Sequence, residues 1–186
     1  MRTFIAIDID EHILNQIRTI QQKLRTEAAL PKGTVKWVNP ANMHLTLKFL
    51  GEVGDNLISD VCRIVSETAA NYPAFDIEVN GLGSFGSSAR VIWVGTRKNE
   101  QLSSLQKELN SRLSEAGWES DRKGFVGHLT LCRVKNPKSG KRLRELINNY
   151  ADHNFGLSGV DSIRVYKSEL TNTGPIYTLI SEHRLE

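Results

Sequence analysis

An α+β fold with two similar lobes facing each other across a cleft is predicted by three features of the sequence. The tetrapeptide His-Leu-Thr-Leu stands at 44–47 and again at 128–131. Each copy follows a strand, a long helix and a loop, and each is followed by a helix and a strand. The apolar residues alternate in some segments and recur at steps of three and four in others, the signatures of strands and of amphipathic helices. Together these features predict a single bilobal domain over 1–186. Its pseudo-repeat halves, roughly 1–86 and 87–186, are related by an approximate two-fold axis. Antiparallel sheets line the central cleft and the helices lie outside.

In chain order, Phe4–Ile9 is a compact apolar run, a buried strand, and Ile13, Ile17, Ile20 and Leu24 then trace a helix. Pro31, Gly33 and Pro40 mark a loop around a short strand at Val35–Val38, and His44–Leu50 reads as a strand closed by Gly51. Leu57, Val61, Ile64, Val65 and Thr68 predict a helix that Pro73 stops. Phe75, Ile77 and Val79 alternate as a half-buried strand, and the Gly/Ser-rich stretch 81–88 reads as the boundary between lobes. Val91–Val94 is a buried strand. Leu102, Leu105, Leu109 and Leu113 form the cleanest helical stripe, which ends at Gly117. A strand around His128–Val134, a helix over 139–150, and strands around Ile163–Val165 and Tyr177–Leu179 complete the chain.

Composition bounds the function more loosely. The chain has 186 residues, 24 Lys and Arg against 21 Asp and Glu, and 39% apolar residues, which suits an ordinary globular domain and argues against disorder. No apolar run approaches the ~20 residues that cross a bilayer. The apolar stretch before Asp8 and Asp10 is too short for a signal-peptide core. Two cysteines, Cys62 and Cys132, cannot build a disulfide framework and suit a reducing cytoplasm, with both expected in the core.

In a strand, alternate side chains share a face, so His44 and Thr46 point one way and Leu45 and Leu47 the other. The second copy places His128 and Thr130 likewise. A two-fold arrangement brings two imidazoles and two hydroxyls into one concave site suited to a phosphate. The hydroxyls donate to its oxygens, and the imidazoles act as general base and general acid. His12, His153 and His183 have no ligand-like spacing, so no metal and no other cofactor is expected. One His-x-Thr alone can simply line the solvent face of a strand. An identical tetrapeptide at matching places in two half-sequences favours chemistry.

These motifs resemble the 2H phosphoesterases, and among them the RNA 2′,3′-cyclic phosphodiesterases also described as 2′-5′ RNA ligases. The resemblance runs nearly the whole chain. It takes in Arg2-x-Phe4-x-Ala6, Val35-Lys36-Trp37-Val38, His44 to Gly51 and Gly81-Leu82-Gly83-x-Phe85. It continues through His128-Leu129-Thr130-Leu131-x-Arg133, Ser168-x-Leu170 and Gly174-Pro175-x-Tyr177. The chain departs from the family where Gly127 and Gly86 stand in place of the usual prolines.

The resemblance implies hydrolysis of RNA 2′,3′-cyclic phosphate ends, tRNA fragments among them, to 2′-phosphomonoesters, with reversible 2′-5′ ligation. It implies His44 as proton donor, His128 as proton acceptor, and Thr46 and Thr130 as phosphate holders, although the pseudo-symmetry alone lets either histidine serve. It also implies Arg133 as a phosphate contact. Strict alternation puts Arg133 on the wrong face, so that role needs a bulge in the strand. Lys48, four residues after His44, is placed on its face, toward the RNA backbone or solvent. Phe49 stacks on a base or joins the core.

Trp37 and Trp118 are candidates for the cleft mouth, Trp93 for the core, and Tyr177 for anchoring the closing strand. Between Arg122 and Arg144 lie eight basic residues and no acid, a candidate RNA-tracking surface beside the second motif. Two other readings stay open: a 2H enzyme acting on 2′-5′ oligonucleotides or small cyclic nucleotides, and a non-catalytic RNA-binding module. A monomer is the default.

Overall fold

Nine strands and four α-helices make up the described residues of the computed structural model, which are 1–121, 124–172 and 174–186. In chain order they are β1 (Arg2–Ile7), α1 (Glu11–Ala28), β2 (Val35–Trp37), β3 (Leu45–Glu52), α2 (Ile58–Ala69), β4 (Phe75–Phe85) and β5 (Val91–Thr96). Then come α3 (Glu100–Glu115), β6 (His128–Val134), α4 (Pro137–Ile147), β7 (Asn154–Val160), β8 (Ser162–Leu170) and β9 (Pro175–Arg184). The helices begin and end where side-chain chemistry favours it. Asn99 accepts the Leu102 N–H at the start of α3, and Asn136 accepts from Lys138 and Ser139 ahead of Pro137 in α4. Gly117 follows α3 at φ +101°, a conformation other residues take only under strain.

Both sheets are antiparallel. One has the order β3-β1-β8-β9 and the other β2-β6-β5-β4-β7, and they face each other across a cleft with the helices outside. The helices change sides. The first sheet contains β1, yet α1, which follows β1, packs with α4 behind the second sheet; α3, which follows β5 of the second sheet, packs with α2 behind the first. Ile13, Ile17, Ile20 and Leu24 of α1 are buried there, each worth roughly 1.5–3 kcal/mol relative to exposure.

The pseudo-two-fold relation is therefore one of interlocked lobes. The boundary expected at 81–88 falls inside one sheet. Gly81 to Phe85 continue β4 past a bulge, and residues 86–89 turn the chain into its partner β5. Strands β8 and β9 return from the second half to close the first sheet, and β2 crosses to the second. Gly86 makes that turn at φ +82°, which a proline ring cannot adopt. Strand β7 gives little alternation because Gly156, Ser158 and Gly159 interrupt its apolar residues, although Phe155 and Val160 are buried. Cys132 is in the core, its thiol pushed up to about 12 by burial, while Cys62 is only half-buried, beside Ser181.

Candidate active site

The two His-Leu-Thr-Leu strands share one irregularity, and it decides which side chains meet. In β3 the register against β1 slips between the Thr46–Ala6 and Lys48–Ile5 pairs. In β6 it slips between the Thr130–Trp93 and Cys132–Ile92 pairs. Each bulge turns two successive residues inward, Leu47 with Lys48 and Leu131 with Cys132, all of them buried. The next residue then faces the cleft: Phe49 in one strand, Arg133 in the other.

At each bulge a buried glutamine donates to a strand carbonyl, and at Leu131 it adds to the Val38 N–H that the carbonyl already accepts at 3.0 Å. Gln106 of α3 donates to the Leu47 carbonyl at 3.3 Å. Gln21 of α1 donates to the Leu131 carbonyl at 3.3 Å and to Val38 at 2.8 Å. The bulge that Arg133 requires is therefore present. Lys48, by contrast, is not in the cleft. It is 4% exposed, and its Nζ binds Asn110 Oδ1 at 2.8 Å, the Glu119 carbonyl at 2.6 Å and Asp121 at 3.0 Å. The four-residue spacing misled because the bulge reverses the alternation.

The cleft has a volume of about 710 Å³, within the range of sites that enclose a nucleotide-sized ligand. His44, Thr46, Phe49, His128, Thr130 and Arg133 all line it. The His128 ring Nδ1 lies 2.8 Å from the Val126 carbonyl, and the His44 ring is bonded by the carbonyl of Asn42, again two residues upstream. A carbonyl only accepts, so in each ring the nitrogen facing it carries the proton and the other nitrogen is left for substrate. Gly127, between Val126 and His128, is held in turn: its carbonyl accepts from the Thr96 N–H at 3.2 Å and hydroxyl at 3.4 Å. A Cβ at Gly127 would lie 2.4 Å from that hydroxyl.

The two rings have different surroundings. His44 stacks on Phe4 with centroids 4.6 Å apart and meets Tyr177 edge-on at 5.1 Å. Burial pushes its pKa down to about 4, opposed by the Asp8 carboxylate and the Asn42 carbonyl. Asp8 is held by the Tyr166 hydroxyl at 2.9 Å and by Arg164. His128 has Phe85 edge-on at 5.0 Å, and Phe85 leans on Trp93. Trp93 is half-buried rather than core, fitted between Gly83 and Gly95 with its indole N–H unpartnered among the described residues.

Sequence reasoning missed part of the lining. Tyr177, expected to anchor the closing strand, lines the cleft beside His44. Arg2, Lys36 and Ser168 line it too. Arg2 was detectable, since it alternates with Phe4 along β1. Trp37 is in the cleft wall, whereas Trp118 lies elsewhere, beside Leu57 and Arg63. The basic run does not border the cleft as a unit. Arg133 lines it, but Lys138, Lys141, Arg142 and Arg144 lie on α4, in the helical layer behind the second sheet. Arg122 and Lys123 lie outside the described residues.

A duplicated fold with two His-x-Thr strands opposed across one cleft defines a 2H phosphoesterase architecture, and comparison with known proteins narrows it. The family model of the 2′-5′ RNA ligase superfamily matches residues 9–169. A Methanothermobacter thermautotrophicus protein named RNA 2′,3′-cyclic phosphodiesterase is 36% identical, the match covering all of this chain and 99% of that one. A Thermotoga maritima protein of the same name is 38% identical over all of this chain and 96% of its own. Among solved structures, a Thermus thermophilus protein superposes with a TM-score of 0.82 at 26% identity, covering 100% of this chain and 98% of that one. Escherichia coli LigT complexed with 3′-AMP superposes with a TM-score of 0.76 at 26% identity, covering 99% and 97%. The chain belongs to the 2′-5′ RNA ligase superfamily.

Proposed function

We propose that this chain hydrolyses RNA 2′,3′-cyclic phosphate ends to 2′-phosphomonoesters by two-histidine acid–base catalysis that needs no metal. The full-length relatives make it an enzyme of the RNA 2′,3′-cyclic phosphodiesterase type. The observation that carries the mechanism is the pair of imidazoles lining one cleft, each held through a backbone carbonyl two residues upstream. Thr46 and Thr130 donate to the nonbridging oxygens and Arg133 balances their charge. His128 takes a proton from water as its oxygen bonds to phosphorus, while the P–O3′ bond breaks and His44 delivers a proton to the departing O3′. Phe49, 65% exposed in the cleft wall, offers a face on which a terminal base stacks. Among the described residues lining the cleft there is no carboxylate, the ligand a hard cation prefers.

Burial leaves His44 neutral before substrate arrives. As a donor it must therefore take up its proton along with the phosphate anion, whose charge opposes the effect of burial. The same neutral ring favours a second reaction at this site. In a 2′-5′-linked oligonucleotide His44 accepts the proton of the attacking 3′-hydroxyl and His128 protonates the leaving 5′ oxygen.

The test is an oligoribonucleotide ending in a 2′,3′-cyclic phosphate, incubated with the protein in EDTA beside a 2′-5′-linked dinucleotide, with the products identified. A 2′-phosphate end is expected. A 3′-phosphate end, or loss of activity in EDTA, contradicts the proposal.

A further inference from the structure

The cleft carries more positive charge than one cyclic phosphodiester uses. Arg2 enters from β1 of the first sheet, and Lys36 and Arg133 from β2 and β6 of the second, so the three line one cleft from its two sides. Lys36 and Arg133 are directly paired across strands, so they share a face and repel each other. Arg2 and Arg133 both lie close enough to Tyr177 for their charges to favour its ionised form. None of the three makes a salt bridge or a side-chain hydrogen bond among the described residues; Arg2 stands opposite Glu52 in the β1–β3 ladder, but that carboxylate lies 3.5 Å from the Met1 ammonium instead. Arg112 and Arg164, elsewhere in the chain, are each held by two carboxylates. Unpaired like charges brought together from two sheets are unfavourable unless an anion occupies the space between them.

A 2′,3′-cyclic phosphate carries a single negative charge, which Arg133 and the motif hydroxyls meet in the reaction proposed above. Arg2 and Lys36 remain. In an RNA end, the nearest other anion is the phosphate on the 5′ oxygen of the terminal nucleoside. We propose that Arg2 and Lys36 form a second anion subsite for that 5′ phosphate. The substrate class is thus an RNA 3′ end carrying at least two phosphates, not an isolated nucleoside cyclic phosphate. This inference takes the position of the reacting phosphate from the function proposed above, but its test is one of binding.

The 5′ phosphate could be a terminal monoester or an internucleotide linkage, and separate ligands distinguish the two. Calorimetry compares adenosine 3′-monophosphate, adenosine 3′,5′-bisphosphate and the dinucleotide ApA bearing a 3′-phosphate. The protein is expected to bind both ligands with a 5′ phosphate at least about tenfold more tightly than the monophosphate, with the advantage shrinking as salt rises. The double variant Arg2→Gln/Lys36→Gln, which alters two exposed side chains, should lose most of that advantage, and Arg2→Lys should keep most of it. Equal affinity for all three ligands, or an advantage that survives the double substitution, overturns the subsite. Preference for the bisphosphate alone overturns its assignment to an RNA chain. If the bisphosphate and dinucleotide both bind preferentially but no cyclic phosphate is hydrolysed, the subsite stands and the proposed reaction fails.

Discussion

Packing an imidazole face-on against Phe4 and edge-on against Tyr177 drives its proton off, and His44 shows the effect with a pKa near 4. The ordinary value of 6.5 applies in the unfolded chain. Between pH 6.5 and 4 the unfolded chain therefore binds more protons at this ring than the folded one, and stability falls as pH falls through that window. The loss amounts to at most about 3 kcal/mol and stops growing below about pH 4. Denaturant unfolding across pH 4–7, comparing the protein with His44→Gln, isolates this contribution as the difference between the two curves. NMR titration of the His44 ring should give a pKa near 4, rising when inorganic phosphate fills the cleft. The histidine pair itself was legible, because a repeated tetrapeptide needs no structure to be seen. What was not legible was the asymmetry around it: Phe4 and Tyr177 lie 40 residues before His44 and 133 after it.

The bulges in β3 and β6 explain why alternation gave a correct account of His44, Thr46, His128 and Thr130 but not of the residues after them. Up to Thr46 and Thr130 the period of two holds; past the bulge it inverts, so Lys48 goes inward and Phe49 outward. A bulge leaves no mark on composition. Its traces here are Gln21 and Gln106, polar residues on otherwise apolar helix stripes, whose partners become clear only with the opposing strand in place. Replacing Gln106 with leucine takes the donor from the buried Leu47 carbonyl and should cost about 1–3 kcal/mol of stability, whereas Gln21→Leu should cost less, because the Leu131 carbonyl keeps the Val38 N–H at 3.0 Å. Gln106→Leu should in addition raise KM through Phe49, and Gln21→Leu through Arg133, as steady-state kinetics on a cyclic-phosphate dinucleotide would show. Lys48→Met keeps the stem but strands Asp121. With Asp121 46% exposed, the expected effect is a loss of about 2 kcal/mol in denaturant unfolding with little change in KM. A large rise in KM with unaltered stability would restore Lys48 to the RNA.

At the scale of the molecule, the exchange of α1 and α3 between sheets ties the lobes together. Neither half-sequence contains a complete sheet with its own helices. The fragment 1–86 carries β1 and β3 without β8, and α1 without α4, so circular dichroism should find it largely unfolded. The whole chain should unfold in one cooperative transition. The sequence conveyed the order of elements and the two-fold relation, but not that consecutive elements serve opposite lobes, because helical periodicity records which residues are buried and not against which sheet.

The interlock brings His44 and His128 into one cleft. The most direct test of their joint action is the single-turnover rate of cyclic-phosphate opening by His44→Ala and by His128→Ala, each measured against the unmodified protein in EDTA. Both variants are predicted to fall by at least about 10²-fold while still binding the RNA end. A rate close to that of the unmodified protein in either variant would contradict the account.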